Sequence, residues 1–274
     1  MNRILRTIAS VALIASALSV SAQEKTIIFA DWNMRSFEKG YGNSLTLVPV
    51  DEYVDFIKTF NADIITFNEF ETVTAREGAE KMAEVAKELG MFGYFIESYP
   101  KGNDGFYGNV ILSKWPIINT ASRQMTYKNY KGEGYYQFNS DSELEQYGAD
   151  QRSVGYADIL VPVSSTESKI LRVVSSHFDH MGAESVRTRQ ASESVEFAGL
   201  ANPPYPTVMM GDLNTSSESV LQPLFAVGDH IGYAWVDHVF TFPKGKFAKV
   251  DWKSPSSGPL SDHNPVIATL KVTL

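Results

Sequence analysis

The side chains best suited to proton transfer in this chain are its five histidines, all of which fall after residue 176. Four directly follow an aspartate: His180, His230, His238 and His263. An Asp-His pair is often only a satisfied surface turn, so context has to separate them. SSHFDH (175–180) closes an apolar run containing Leu171, Val173 and Val174. Alternation along an extended end puts His177 and Asp179 on one face, with Phe178 and His180 on the other. GDLN (211–214) follows a second apolar run, 207–210, and presents Asp212 and Asn214 two apart on one side. Such a carboxylate and amide can hold an ion, a water or a phosphate oxygen, although an Asx turn is the plainer use of either alone. VDH (236–238) and SDHNPV (261–266) add two more acid–imidazole sites, the second just ahead of a strand whose entry Pro265 fixes. Upstream, DWNM (31–34) ends one run with Asn33, and FNEF (67–70) ends another with Glu69. Every candidate therefore sits at a strand terminus, where α/β proteins gather reactive groups. Oxygen donors in a chain without cysteine favour Mg2+, Mn2+ or Ca2+ over zinc.

The elements that must carry these groups are short β-branched runs at 26–30, 63–67, 109–113, 156–161, 170–176, 207–210 and 266–272. Helical spacing joins Ala75, Ala79, Met82, Ala83, Ala86 and Leu89 ahead of Gly90, and Ala191, Val195 and Ala198 ahead of Gly199. The early strands do not alternate strictly with helices, which favours mixed sheets over a doubly wound parallel sheet. The stretch 128–150 is polar and holds Tyr130, Tyr135, Tyr136 and Tyr147 without a sustained period. It reads as a solvated hairpin or as a lip facing the substrate.

Residues 1–22 have a basic start (Arg3, Arg6), an apolar stretch and small residues at Ser21 and Ala22, the pattern of a cleavable secretory signal. The run is shorter than a membrane span and broken by serines, so no integral membrane association is expected. Residues 23–274 then form one domain, expected to be exported to the periplasm or the medium and to act as a monomer. Loss of Arg3 and Arg6 makes the formal charge of −8 two units more negative, which disfavours long-range attraction to nucleic acid. No basic groove is evident.

In chain order, Asn33, Glu69, GNVILSKWPI (108–117), Arg152, SSHFDH, GDLN, VDHVF (236–240) and SDHNPV form a series that resembles the endonuclease/exonuclease/phosphatase superfamily across residues 26–272. The resemblance implies an α/β four-layer sandwich of two packed mixed β-sheets flanked by helices. It also implies a divalent-metal-dependent phosphoesterase using one or two Mg2+ or Mn2+ ions. By similarity, Glu69 is the main metal carboxylate with Asn33 beside it and Asp262 near the ion. Asp212 and Asn214 orient the scissile phosphate and the attacking water. His263 matches the general base, Asp237 the acid that orients it, and His177 a histidine that bonds the phosphate in pancreatic deoxyribonuclease and bacterial sphingomyelinases. Arg152, Asn109 and His180 are read as substrate-binding. Asn68 replaces the glutamine that many relatives carry before the metal glutamate. Arg35 stands where apurinic endonucleases have aspartate, and His177 where they tend to have tyrosine. These departures point away from DNA repair. A small or lipid-derived phosphoester is the favoured substrate and an extracellular nuclease the second reading. A binding module on the same fold is the rival from another class, opposed by the presence of Glu69, His177, Asp212 and His263 together.

Overall fold

Alternate side chains of the first strand enter different cores. In β1 (Glu24–Asn33), Ile27 and Phe29 join one buried cluster while Ala30 and Trp32 join another, which is why the strand is apolar on both faces. A computed structural model describes residues 23–39, 46–72, 81–101, 105–125 and 151–274. The expected signal segment, the first part of the expected helix near 75 and the tyrosine-bearing stretch lie outside these residues.

After β1 come a short ribbon, β2 (Glu38–Lys39) and β3 (Thr46–Leu47), and the helix α1 (Val50–Lys58). Then follow β4 (Ile64–Glu71), α2 (Lys81–Leu89), β5 (Phe92–Lys101), β6 (Gly105–Ser113) and β7 (Ile117–Gln124). The second half holds β8 (Ser153–Pro162), β9 (Ser168–Ser176), α3 (Glu184–Ala198), β10 (Thr207–Asp212) and α4 (Gln222–Val227). It ends with β11 (Asp229–Ala234), β12 (Asp237–Phe242), β13 (Phe247–Lys253) and β14 (Val266–Thr273).

Two six-stranded sheets result, in the orders β13-β14-β1-β4-β6-β5 and β11-β12-β10-β9-β8-β7. Each is mixed, with one parallel pair, β1 with β4 and β9 with β10, among antiparallel neighbours. Ile27, Ile64, Ile111, Val173, Val208, Val239 and Val266 fill the space between the sheets. Trp32, Ile65 and Phe67 on the outer face of the first sheet pack against Tyr53, Val54 and Ile57 of α1 and Val85 of α2. Val174, Met209 and Phe240 on the outer face of the second pack against Ala191 and Ala198 of α3 and Leu224 of α4. The fold is therefore the four-layer α/β sandwich that the resemblance implied. Among the described residues no helix is long and apolar enough to cross a membrane.

Candidate active site

The pattern that builds the inner core also aims the polar residues. Ile27 and Phe29 face the other sheet, so Asp31 and Asn33 continue that face at the end of β1. By the same parity Val208 and Met210 lead to Asp212, Leu171 and Val173 to Ser175 and His177, and Val239 back to Asp237. Register puts the ends side by side: Asn33 is opposite Asn68, and Asp212 opposite Asp237. Gly211 has φ of 154° and lies against the Ser176 carbonyl where a Cβ would clash, so this crossing of β9 and β10 requires glycine.

Glu69 breaks the parity. A regular strand would send it to the outer face with Ile65 and Phe67, but the β4–β6 ladder shifts register between Phe67 and Phe70, and Glu69 adopts a left-handed φ of 53°. Such a bulge re-aims one side chain. Glu69 lines a pocket of about 440 Å³ together with Arg35, Tyr107, Arg152, His177, His180, Asp212, Asn214, Asp262 and His263.

His263 Nδ1 is 2.8 Å from Asp237 Oδ2, and its Nε2 is 3.6 Å from Asp212 Oδ2. Trp32 Nε1 donates to the His263 carbonyl at 3.0 Å, and the His263 N–H donates to Ser261 Oγ at 3.0 Å, so the imidazole is fixed from its own backbone as well. Burial works to lower the His263 pKa, but the hydrogen bond and charge of Asp237, with the charges of Asp212 and Asp262, outweigh it and raise the value. Burial also raises Asp237, with repulsion from Asp212 and Glu69 adding to it and the His263 hydrogen bond opposing.

His177 is the opposite case. Burial, then the positive charge of Arg152, push its pKa well below the usual range, so the ring is neutral. Arg152 donates to His177 Nδ1 at 3.1 Å and the Asn214 amide nitrogen lies 3.0 Å from Nε2, so a donor faces each ring nitrogen; Nε2 is also 3.5 Å from Asp212 Oδ2. Arg152 also donates to His180 Nδ1 at 3.2 Å. His177 and His180 thus share one partner at one pocket, contrary to the alternation expected of SSHFDH. The strand ends at Ser176, and Asp179 turns away to accept the N–H groups of Met181 and Gly182. Asp212 satisfies both readings of GDLN: Oδ1 accepts the Asn214 N–H at 2.9 Å in an Asx turn, while Oδ2 faces the two histidines. Asn214 Nδ2 donates to the Phe178 carbonyl at 2.9 Å.

Three expected residues take other places. Asn109 lies beneath the site, accepting from Asn68 Nδ2 at 2.9 Å, and is absent from the pocket wall because its side chain is buried between the sheets. Asn33 turns its nitrogen, not its oxygen, to the carboxylates, donating to Glu69 at 3.1 Å and Asp212 at 3.0 Å while its Oδ1 accepts the Arg35 N–H. It gathers the acids instead of offering them an oxygen neighbour for an ion. Asp262 is half exposed at the pocket edge, 3.7 Å from Arg35 Nε. His230 and His238 bond each other at 3.1 Å, and His238 Nε2 reaches the Thr215 carbonyl at 2.8 Å, away from the pocket wall. Asp31 and Ser261 join the site without having been singled out in the sequence, Ser261 Oγ donating to the Asn33 carbonyl at 2.7 Å. Asp31 is fully buried, its pKa raised well above normal by burial and by Asp237, and their parity with Asn33 and His263 was the available signal.

The donors fit a hard divalent cation. Burial raises Glu69, aided by Asp212 and opposed by Asn33 and Arg152, and Asp237 Oδ1 and Asp31 Oδ2 are buried without a hydrogen-bond partner. Carboxylates crowded so closely favour a positive charge among them. Asp212, Asp237 and His263 offer ligand atoms within 4.8 Å of one another. Since Asp237 and His263 bond each other, the acids that face the pocket are Glu69 and Asp212, which share the Asn33 amide.

A model of the Endonuclease/Exonuclease/phosphatase family matches residues 32–263. No curated protein matches the chain. Among solved structures, it is similar to an endonuclease/exonuclease/phosphatase from Bacteroides vulgatus at 19% identity, with 90% of this chain and 99% of that one covered and a TM-score of 0.66. It is similar to ANGEL2, a 2',3'-cyclic phosphatase, at 11% identity, 94% and 100% coverage and a TM-score of 0.58. It is also similar to TDP2 of D. rerio, complexed with single strand DNA product, at 10% identity, 89% and 98% coverage and a TM-score of 0.60. Identities this low speak for the fold, while the family model spans the chain from the first sheet to His263. The chain belongs to the endonuclease/exonuclease/phosphatase family and has its phosphoesterase fold.

Proposed function

We propose that this chain is an exported phosphoesterase that hydrolyses a phosphomonoester or phosphodiester by water attack, with His263 as general base. The observation that carries this reading is the buried Asp237–His263 pair, whose outer nitrogen sits 3.6 Å from Asp212 in a pocket shared with His177 and Glu69. Glu69 and Asp212 would hold Mg2+ or Mn2+. When bound, the cation neutralises charge at the phosphate and among these acids. Asp212 Oδ2 lies where it can orient the water, His263 Nε2 takes the proton when its ring is in the neutral form, and Asp237 fixes the tautomer of that ring and stabilises the imidazolium that results. His177 and the Asn214 amide beside its Nε2 line the place of the phosphate, and Arg152 supplies positive charge behind them.

A small or lipid-derived substrate remains the first reading, supported by the acidic chain. Arg35, Lys101 and Arg152 on the pocket wall support the second, a nuclease, and a relative is described with a DNA product. Purified protein assayed with Mg2+ or Mn2+ against plasmid DNA, RNA, sphingomyelin, inositol phosphates and sugar phosphates separates the two. Turnover of one class that stops in chelator and returns with the ion is expected. Full turnover after dialysis against excess chelator overturns the metal role, and no hydrolysis of any phosphoester overturns the proposal.

A further inference from the structure

We propose that Trp235 is a stacking platform for a flat ring carried by the phosphoester, so that the organic part of the substrate is aromatic, such as a nucleobase. The inference rests on the phosphoesterase reading and narrows it to a substrate class. Trp235 and Val236 form the two-residue loop of the β11–β12 hairpin, between the paired Ala234 and Asp237. Trp235 has φ of 55°, a left-handed conformation that such loops ordinarily give to glycine or asparagine. A branch-bearing side chain occupies it only at a cost in stability. Burial does not offset that cost, because the indole is 65% exposed, more than any other large hydrophobic side chain among the described residues.

What the loop gains is position. The indole meets the His263 ring with centroids 4.6 Å apart and planes inclined by 43°, and His263 lines the pocket. The exposed indole therefore lies against the proposed base, which is itself on the pocket wall. The pocket itself is walled mainly by charged and polar groups, among them Glu69, Arg152, His177 and Asp212, which suit a phosphate and offer little to an organic group. A strained, exposed tryptophan beside such a pocket matches a phosphate held inside and a ring laid against the rim. Stacking a base on an aromatic side chain improves affinity by about 5- to 100-fold.

The test compares non-hydrolysable 5'-phosphonate analogues of adenosine monophosphate and of ribose 5-phosphate, which differ only in the ring. Their dissociation constants are measured by calorimetry with Mg2+ present. The expected result is adenosine binding about 5- to 100-fold tighter in the natural protein. Trp235→Ala should bring the ratio near one, and Trp235→Phe should keep most of it. Trp235→Asn, which tolerates the left-handed φ, should lose the ratio without lowering the melting temperature. Equal binding of the two analogues by the natural protein, or a ratio that survives Trp235→Ala, overturns the ring and leaves the phosphoesterase reading standing. If Trp235→Asn melts several degrees lower and both analogues weaken alike, the indole is a structural cover for His263 and the proposal fails. If Trp235→Ala reduces binding to phosphatidylcholine vesicles while the ratio is unchanged, the residue serves a lipid surface and the proposal also fails. Binding of neither analogue overturns the ring, while the hydrolysis panel decides the phosphoesterase reading separately.

Discussion

Replacing Asn68 by alanine should damage stability and turnover together, because this amide joins both sheets directly beneath the site. Its Nδ2 donates to Asn109 Oδ1 at 2.9 Å and to the Ser176 carbonyl at 3.2 Å, and its Oδ1 accepts the Asp212 N–H at 2.8 Å. Asn68, Asn109, Ser176 and Asp212 are all essentially inaccessible to water. The truncation therefore strands two acceptors and a donor, at about 1–3 kcal/mol for each buried group left unpaired. Allowing for partial relaxation, the expected loss is about 3–6 kcal/mol, against a total of about 5–15 kcal/mol for a typical domain. In a domain of this size that lowers the melting temperature by about 6–24 °C. Freeing the Asp212 backbone also shifts a carboxylate that faces both His177 and His263, and a displacement of about 1 Å can cost about a hundredfold in rate. The assay is thermal melting by circular dichroism, paired with turnover normalised to folded protein. A fall of under about 3 °C with turnover intact would show that the amide is not the tie described here.

His263→Ala should lower turnover by about 10²- to 10⁴-fold with little loss of stability, and the double variant with Asp237→Asn should be no slower than His263→Ala alone. Additive losses in that cycle would separate the two residues and refute the pair. Without a divalent ion, stability should fall as pH rises from about 4 to 9, Asp237 accounting for the fall up to about 7 and His263 for the fall from there to about 9. His263 has its folded pKa raised to about 9 and Asp237 to about 7, so each contributes stability below its unfolded pKa that disappears as pH passes through the folded value. Mg2+ should raise the melting temperature more at pH 9 than at pH 6, and a thermal-shift series showing the reverse order would contradict the crowding of acids. Mass spectrometry of exported protein should find a chain starting near Gln23; Met1 retained in a membrane fraction would contradict export. Shortening the stretch 128–150 should change substrate choice and spare the melting temperature, and unfolding on deletion would place it in the core.

What the sequence made legible was what burial writes into it. Runs buried on both faces, such as Val208–Met210 in β10 and Val173–Val174 in β9, stand out because each side chain has a core to enter. Among the strands that escaped notice, β7 reads IINTASRQ and β13 FAKVDWK, sheet edges with few buried side chains and no apolar run to find, whereas β12, DHVFTF, is buried throughout and hides because polar residues break its apolar run. The helix α1 was readable but unread, since Val50, Tyr53, Val54 and Ile57 recur at helical spacing. At the site, types and order were legible and orientation was not. Glu69 looks like any residue ending a strand, and only the bulge turns it inward; Asn33 carries an amide suited to an ion, and only the Arg35 N–H shows which end is spent elsewhere.

The same alternation that fills the core nevertheless constrains the chemistry, because both are written in one strand period. In β1 the inner face runs Ile27, Phe29, Asp31, Asn33, and in β10 it runs Val208, Met210, Asp212. A slip of one residue in either strand would place apolar side chains on the wrong layer and, in the same step, turn Asn33 or Asp212 out of the pocket. The hydrophobic cost of that slip opposes loss of the site, so the buried strands hold the acids in place without contacts dedicated to the purpose. Glu69 and Trp235 are exceptions, each set by a left-handed φ outside the period, and both lie where a regular strand could not deliver a side chain to the pocket or its rim.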